Sequence, residues 1–215
     1  MAPSRENVDR MAYLISANDI TFDSLTLWNT FPYDNSVARQ AEAIVVNKNA
    51  KRIFINNSEV RSFQDTIMVD TGGQLYIKES RIWGDIHYVW GYGTIYCENS
   101  ELTTHKGGSS ITVARNGADT LGFAFVNCRL TREESSQMSF LGATHGYDDG
   151  NVAFINCQIG DHIVGWEDVS KRDWEYGNTK LSDGSPVTFN GIQLSDGDPN
   201  LAKTASAQSW LGWAP

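Results

Sequence analysis

The chain has 215 residues, with 17 Lys or Arg against 26 Asp or Glu, and a formal net charge of −9 at pH 7. This length is enough for one domain with a substantial core. The acidic charge argues against a nucleic-acid or anionic-membrane partner, since both need a basic face, and no apolar run is long enough to span a bilayer.

The composition favours strands over helices. Gly, Asn, Ser and Thr abound, β-branched and aromatic residues are frequent, and apolar residues do not recur at helical spacing, so we expect a mostly β protein. One seven-residue pattern recurs with starts 20 to 33 residues apart. Its seventh residue is always aliphatic, its fourth is always polar and its fifth is usually small. The six copies are TFDSLTL from Thr21, FINNSEV from Phe54, YIKESRI from Tyr76, YCENSEL from Tyr96, AFVNCRL from Ala124 and AFINCQI from Ala153.

Repetition at variable spacing is typical of a parallel β-helix, in which strands keep their register while the loops vary. Each coil would place its strand about 4.8 Å from the previous one and bury an aliphatic ladder that no single coil could bury. A β-sandwich is the alternative, but the segments between the copies are too long for hairpin turns. We therefore expect an all-β, parallel β-helix that forms a single domain over residues 1–215.

The chain after Gly160 lacks the pattern and is rich in Trp, Asp and Gly. We interpret residues 160–199 as long loops on the side of the helix. The tail, residues 200–215, has the Ala and Ser content of a short helix, and we expect it to cap the open C-terminal coil.

Three cysteines, Cys97, Cys128 and Cys157, have no metal-ligand spacing. Free cysteine is often a core residue, so buried thiols are the first interpretation. A disulfide between Cys128 and Cys157, which share a pattern position, is the alternative.

Asp65 and His87 lie at equivalent points of the repeat. Each follows an aliphatic pattern residue, Val60 or Ile82, by five positions. The repeat therefore predicts that the two side chains stack one strand spacing apart. Gln40 is expected to extend this polar column on the preceding coil.

Side-chain alternation gives a prediction for the residues around His87. Asp85 and Trp83 are expected on the face of His87, and Tyr88 and Trp90 on the opposite face.

Several short motifs resemble those of the pectin methylesterases, in the same order and at similar spacing. They are QAEAIVV at Gln40, FQDT at Phe63, GDIHYVWG at Gly84, SFLGATHG at Ser139, VGW at Val164 and EYGNT at Glu175. The resemblance implies a right-handed parallel β-helix. The family's first coils have no counterpart before Met1, so the resemblance also implies an N-terminally shortened helix.

The resemblance implies roles for individual residues. Gln40 and Gln64 match glutamines that help to stabilise the oxyanion, and Asp65 matches the general acid and base. His87 stands where the family has its attacking aspartate. Ala143 replaces the arginine that holds that aspartate, a linked loss because an imidazole needs no such partner.

The remaining candidates are expected to bind substrate. His145 stands where the family has a tryptophan that receives the sugar, and Tyr88 and Trp90 replace two phenylalanines. Trp83, Asp85 and Trp166 complete this group.

These observations predict a hydrolase that acts on a uronic-acid polysaccharide, with Asp65 as acid and base and His87 as base or nucleophile. A carboxylate one strand away is expected to raise the pKa of His87. The alternatives are an inactive carbohydrate-binding or structural β-helix, and a lyase in which His87 is the base and Tyr88 the acid. A zinc site built from His87, His145 and Asp65 or Asp85 has no known spacing, so we expect no metal and no cofactor.

The expected partner is a pectin-like polysaccharide, in a secreted or periplasmic location. An exposed edge on the N-terminal coil would also favour a homo-oligomer.

Overall fold

The computed structural model describes residues 10–31, 40–133 and 137–215. In this part of the chain, 21 strands form three sheets in which every strand pairs in parallel with the corresponding strand of the next coil. Each coil runs through sheet 2, then sheet 3, then sheet 1, and the hydrophobic core lies between the three sheets. The predicted parallel β-helix is therefore confirmed.

The strand bounds are as follows. Sheet 1 has six strands: β1 (Tyr13–Ile15), β4 (Ile44–Val46), β7 (Ile67–Val69), β10 (Val89–Gly91), β13 (Ser110–Ala114) and β16 (Phe140–Gly142). Sheet 2 has eight: β2 (Ile20–Asp23), β5 (Ile53–Asn56), β8 (Gln74–Lys78), β11 (Thr94–Glu98), β14 (Phe123–Val126), β17 (Asn151–Ile155), β19 (Arg172–Tyr176) and β21 (Ile192–Gln193). Sheet 3 has seven: β3 (Thr26–Trp28), β6 (Glu59–Arg61), β9 (Arg81–Gly84), β12 (Glu101–Thr104), β15 (Arg129–Arg132), β18 (Gln158–Ile159) and β20 (Thr179–Lys180).

The aliphatic seventh residue of the pattern forms one continuous column on sheet 3. Val60 pairs with Ile82, Ile82 with Leu102 and Leu102 with Leu130. These side chains are buried in the main core. Burial of apolar surface along this column stabilises neighbouring coils against each other, by about 25 cal/mol per Å² of area removed from water.

The fourth and fifth pattern residues form the turn between sheet 2 and sheet 3, which we call the pattern corner. The fourth residue is left-handed in each copy, with φ of 57° at Ser24, 44° at Asn57 and 50° at Asn99. Asn tolerates this region better than most residues because its side chain bonds locally. The fifth residue bonds across coils, since the Oγ of Ser80 accepts from the backbone N–H of Ser58 at 3.0 Å.

The prediction that residues 160–199 form only side loops is wrong, because β19, β20 and β21 add strands to sheets 2 and 3. The segment WEYGNTK from Trp174 is a seventh copy of the pattern that departs from it at the fourth and seventh positions. Gly177 takes the left-handed corner position with φ 63°, and Lys180 stands in register with Ile159, where the pattern has an aliphatic residue.

The tail forms two short helices, α1 (Pro199–Lys203) and α2 (Ala207–Leu211). It lies against the outer face of sheet 2, not over the end of the last coil as predicted. Trp210 Nε1 donates to the carbonyl of Gly122 at 3.2 Å, and the hydroxyl of Tyr96 donates to the carbonyl of Thr204 at 3.1 Å. Small and aromatic residues face outward on this sheet, so they need the tail as an apolar cover. No helix in the described residues has the length and apolarity to cross a bilayer.

The three cysteines are buried and free, which confirms the first interpretation. Cys128 and Cys157 replace serine at the fifth pattern position. The thiol of Cys128 contacts the carbonyl of Val126 at 3.4 Å, as the serine hydroxyls do two residues before their own position.

Candidate functional site

Asp65 and His87 lie in the turn between sheet 3 and sheet 1, which we call the pocket corner. Their preceding residues, Gln64 and Ile86, form a parallel bridge, and the backbone N–H of Asp65 donates to the carbonyl of Ile86 at 3.0 Å. The two residues are therefore one coil apart, as the repeat predicted. Both adopt left-handed backbone conformations, with φ of 63° and 45°. This conformation is unfavourable for Asp and His, and such strain often occurs at functional sites.

A small pocket opens at this corner, with a volume of about 50 Å³. That volume has room for a few water molecules. It is lined by Gln40, Asp65, His87, Trp90, Val113 and Arg115. Three of the four predicted catalytic residues therefore meet at one place, although the first and the last are 47 positions apart in the sequence.

Asp65 is 2 % exposed, and its Oδ2 has no hydrogen-bond partner among the described residues. Burial and the nearby carboxylate of Glu42 raise the pKa of Asp65 to about 8, against the opposing effects of Arg10, Arg115 and a hydrogen bond from Gln40. Asp65 is therefore a protonated carboxylic acid at neutral pH.

His87 is neutral at the same pH. Burial, with the nearby charges of His145 and Arg115, lowers the pKa of His87 to about 4. The prediction that a neighbouring carboxylate raises this pKa is wrong, because Asp65 holds its proton and offers no negative charge. The His87 ring lies 3.2 Å from the Ser109 hydroxyl through Nε2, and packs edge-on to the ring of His145 at 4.6 Å between centroids.

Sequence reasoning missed two lining residues, Val113 and Arg115, and Arg115 is the charged one. It follows the last residue of β13, and its guanidinium lies over the ring of Trp90 at 5.1 Å from the centroid. It also lies near Tyr92 and Tyr147, at 5.9 and 5.4 Å. Its position was available from the repeat, because β13 pairs with β10 and Arg115 stands two residues after Val113, the partner of Trp90.

Glu42 was also missed. It lies two residues before β4, as Asp65 lies two residues before β7, and it is buried. Burial raises its pKa, and Arg10 lies 3.8 Å from Oε1. Because β4 and β7 pair, the two-residue offset that Glu42 shares with Asp65 would have identified Glu42 as a residue of the same column.

Three predicted residues lie near the pocket corner but do not line the pocket. Gln64 is buried, and its Oε1 has no partner among the described residues. Asp85 is buried and accepts from the backbone N–H groups of Lys106 and Gly107, so it holds the following turn. Trp83 lies on the outer face of sheet 3, where Arg61 covers its ring at 4.8 Å and Nε1 donates to Glu133.

Two predicted substrate-binding residues lie in the core, where they do not meet solvent. Tyr88 is 0 % exposed. Trp166 is 4 % exposed and donates from Nε1 to a carboxylate oxygen of Glu175 at 2.8 Å. The VGW and EY motifs therefore meet in a buried structural contact.

The predicted alternation also fails at one point, because Trp90 lines the pocket together with His87. The left-handed residue His87 precedes β10, so strand alternation does not extend from Trp90 back to His87. Tyr88 lies on the face opposite His87, as the alternation predicted, but this face is the core and not a substrate-binding surface.

No group of three or more His, Cys, Asp and Glu side chains within residues 10–31, 40–133 and 137–215 could hold a metal ion. The alternative of a zinc site at His87 and His145 finds no support in this geometry.

The pectinesterase family profile matches residues 12–178. The chain belongs to the pectinesterase family. It is similar to pectinesterase A of Dickeya chrysanthemi, with 27 % identity over 201 residues that cover 77 % of this chain and 54 % of the relative. The chain spans about half the length of the curated pectinesterases it matches.

Solved structures of pectin methylesterases share the fold. The enzyme of Yersinia enterocolitica superimposes with a TM-score of 0.81 at 21 % identity, over 97 % of this chain and 79 % of that one. A pectin methylesterase in complex with a hexasaccharide gives a TM-score of 0.80 at 23 % identity, over 97 % and 74 %. These matches agree with the parallel β-helix described above.

Proposed function

We propose that this chain hydrolyses the methyl ester of a uronic-acid polysaccharide of the pectin type. The observation that carries the proposal is the convergence of Asp65 and His87 on one pocket in a chain of the pectinesterase family. The hexasaccharide bound by a protein of the same fold supports an extended sugar chain as the ligand.

Asp65 acts as the general acid in this proposal. Because its pKa is raised to about 8, the carboxyl group keeps its proton at neutral pH and gives it to the oxygen of the departing methoxide. Gln40, which bonds the Asp65 side chain, holds the carboxyl group in place. Gln64 remains a proposed neighbour of the developing oxyanion.

His87 acts as the general base. With a pKa lowered to about 4, the ring is neutral at pH 7 and can take a proton from the water that attacks the ester carbonyl. The C–O bond to water forms, the C–O bond to methanol breaks, and the proton on His87 returns to Asp65 through solvent. The products are methanol and a uronic acid, which ionises.

This assignment predicts the dependence of rate on pH. Both groups are in the required state between about pH 4 and pH 8, so methanol release should be level over that range. It should fall below pH 4 as His87 gains a proton, and above pH 8 as Asp65 loses one. Methanol release from methyl-esterified polygalacturonate, measured from pH 3 to pH 10, tests this.

Two substitutions test the residues. Asp65→Asn and His87→Ala should each lower methanol release by about 100-fold or more, the usual range for loss of a general acid or base. Arg129→Gln changes an exposed charge on sheet 3 and serves as the control. Equal activity of Asp65→Asn, His87→Ala and the parent would refute the assignment.

A second candidate is carbohydrate binding without turnover. It is supported by the resemblance, which implies that His87 replaces the family's attacking aspartate and that Ala143 replaces its arginine. A low pKa also makes His87 a weak base. Binding of a pectin oligomer without methanol release by the parent would favour this candidate. A lyase that uses Tyr88 as the acid does not fit the structure, because Tyr88 lies inside the core.

A secreted or periplasmic location and self-association through the first coil remain predictions. Within residues 10–31, 40–133 and 137–215, the strands β1, β2 and β3 are at the ends of their sheets, and Leu14 and Trp28 are 46 % and 47 % exposed. Light scattering over a concentration series should show a dimer if this edge pairs.

A further inference from the structure

We propose that Arg115 binds the free carboxylate of the uronate product through the Nε–Nη2 edge of its guanidinium. The ligand class, a uronic-acid polysaccharide, rests on the proposed function. The inference adds the residue that recognises the ligand and the group that it recognises.

The Nε–Nη2 edge of Arg115 has no acceptor among the described residues. Nη1 lies 3.4 Å from the hydroxyl of Tyr92, at the long end of hydrogen-bond distance. Nε is buried and unpaired, and no described carboxylate forms an ion pair with this guanidinium. An unpaired buried donor costs free energy that an incoming acceptor would recover.

Another arginine of the chain shows what this edge binds. Arg52 places Nε 2.5 Å from one oxygen of Asp19 and Nη2 2.7 Å from the other. This two-point contact matches the geometry of a carboxylate, and a lysine cannot reproduce it. Arg115 lines the pocket together with the protonated Asp65, and no described carboxylate lies within ion-pair distance of its guanidinium.

The aromatic rings around Arg115 hold its guanidinium in position. Trp90, Tyr92 and Tyr147 lie at 5.1, 5.9 and 5.4 Å, within the range of a cation–π contact. Arg115 is therefore oriented before a ligand arrives, which reduces the entropy lost on binding.

The charge of the pocket favours an anion. The pKa of Asp65 is raised to about 8 and that of His87 is lowered to about 4. Between these values Arg115 carries the formal charge among the six lining residues. The volume of about 50 Å³ admits a carboxylate but not a sugar ring. Once the ester is cleaved, the group in this pocket is the carboxylate that Arg115 binds.

Binding measurements on the full chain test the proposal. Isothermal titration at pH 6 would compare unesterified trigalacturonate with the galactose trimer, which has no carboxylate. The proteins are the parent, Arg115→Gln, Arg115→Lys and the control Arg129→Gln. Arg115→Gln should weaken binding of trigalacturonate about tenfold or more, and Arg115→Lys should restore only part of it. Arg129→Gln should stay within about twofold of the parent, and affinity for the galactose trimer should not depend on residue 115.

Several results would overturn the proposal. They are unchanged trigalacturonate binding by Arg115→Gln, equal losses for both trimers, equal losses in Arg115→Gln and Arg129→Gln, and no binding by the parent. Circular dichroism would verify folding, and Arg115→Lys carries the test if Arg115→Gln does not fold.

Methanol release separates this inference from the proposed function. A parent that binds trigalacturonate through Arg115 without releasing methanol keeps the inference and refutes the esterase. If the parent releases methanol and Arg115→Gln binds trigalacturonate normally, the esterase proposal is kept and the inference about Arg115 is refuted.

Discussion

The pattern corner and the pocket corner are the same kind of turn put to different uses. Both rely on left-handed residues that recur from coil to coil, such as Asn99 at φ 50° and His87 at φ 45°. At the pattern corner the buried hydroxyls are paired, as where Ser80 donates to the carbonyl of Lys78 at 2.6 Å. At the pocket corner Asp65 Oδ2 is buried and unpaired, and so is Nε of Arg115, which lines the same pocket from the end of β13.

The difference shows that the groups that destabilise this fold lie at the pocket corner. A repeated turn in which the polar groups are hydrogen-bonded holds neighbouring coils together. Buried polar atoms without hydrogen bonds, and the shifted pKa values that accompany them, lower the folding stability, so the needs of the fold do not account for them. Such conflicts between local preference and fold are expected at functional sites. The contrast can be tested by removing the polar group from each corner and comparing the signs of the stability changes.

The largest effect is expected for Asp65→Asn, which should stabilise the protein at alkaline pH. The folded pKa of Asp65 is raised to about 8 from an ordinary value of 3.8, so the proton it holds favours folding below pH 3.8, and this contribution is lost as pH rises through 8. Above pH 8 the parent must ionise a buried group that the variant lacks. The gain should be on the order of a few kcal/mol.

Thermal melts of the parent and Asp65→Asn at pH 4 and pH 9 measure this gain. The two proteins should melt alike at pH 4 and diverge at pH 9. A variant that melts below the parent at pH 9 would show that Asp65 supports the fold.

The next effect concerns His162, at the same corner several coils later. It is 0 % exposed, and neither ring nitrogen has a partner among the described residues. Burial lowers its pKa to about 4 from 6.5, so its neutral form favours folding above pH 6.5 and stability is lost as pH falls toward 4. His162→Leu should remove about 2–3 kcal/mol of this acid sensitivity.

Urea unfolding at pH 4.5 and pH 7 measures this change in the free energy of unfolding, with the exposed Ser195→Ala as the control. If the parent and His162→Leu lose equal stability between these pH values, the titration of His162 does not contribute.

Much of the architecture could be predicted from the sequence because the pattern encodes it directly. The aliphatic column through Val60 and Ile82 has the predicted register, and Asp65 and His87 lie one coil apart. The coil at Trp174 was missed because Gly177 and Lys180 replace the two residue types that define the pattern. Gly serves the left-handed corner as well as Asn does.

The position of the site could be predicted from the sequence, but the protonation states of its residues could not. Spacing identified Asp65 and His87, but it was wrong to place Gln40 in their column, because the register of β4 and β7 puts Glu42 opposite Asp65. The pKa values also depend on burial and on groups from other coils, such as Glu42 and Arg115. Tyr88 and Trp166 were misassigned because a motif does not reveal which side of a coil a residue faces. Their burial became evident only from the packing.

Substitution of Ser80 is expected to have a smaller effect and the opposite sign to Asp65→Asn. Its Oγ accepts from the backbone N–H of Ser58, so Ser80→Ala leaves a buried donor unpaired and should cost about 1–2 kcal/mol. Ser80→Cys should lose less, because Cys128 occupies the same position in a later coil. Urea unfolding measures both variants, with the exposed Ser195→Ala as the control. A cost no greater than that of Ser195→Ala would mean that the hydroxyl bond does not hold the corner.

The smallest effect is expected at the left-handed residue itself. Asn99→Ala places a residue that disfavours φ 50° at the pattern corner and should cost about 1 kcal/mol, whereas Asn99→Gly should be close to neutral. Gly177 occupies the equivalent position in the last coil, with φ 63°, which supports the tolerance for glycine. The two variants share the loss of the amide, so the difference between their unfolding free energies isolates the backbone conformation. Equal costs for alanine and glycine would assign the role of Asn99 to its amide and would remove backbone strain from the comparison of the two corners.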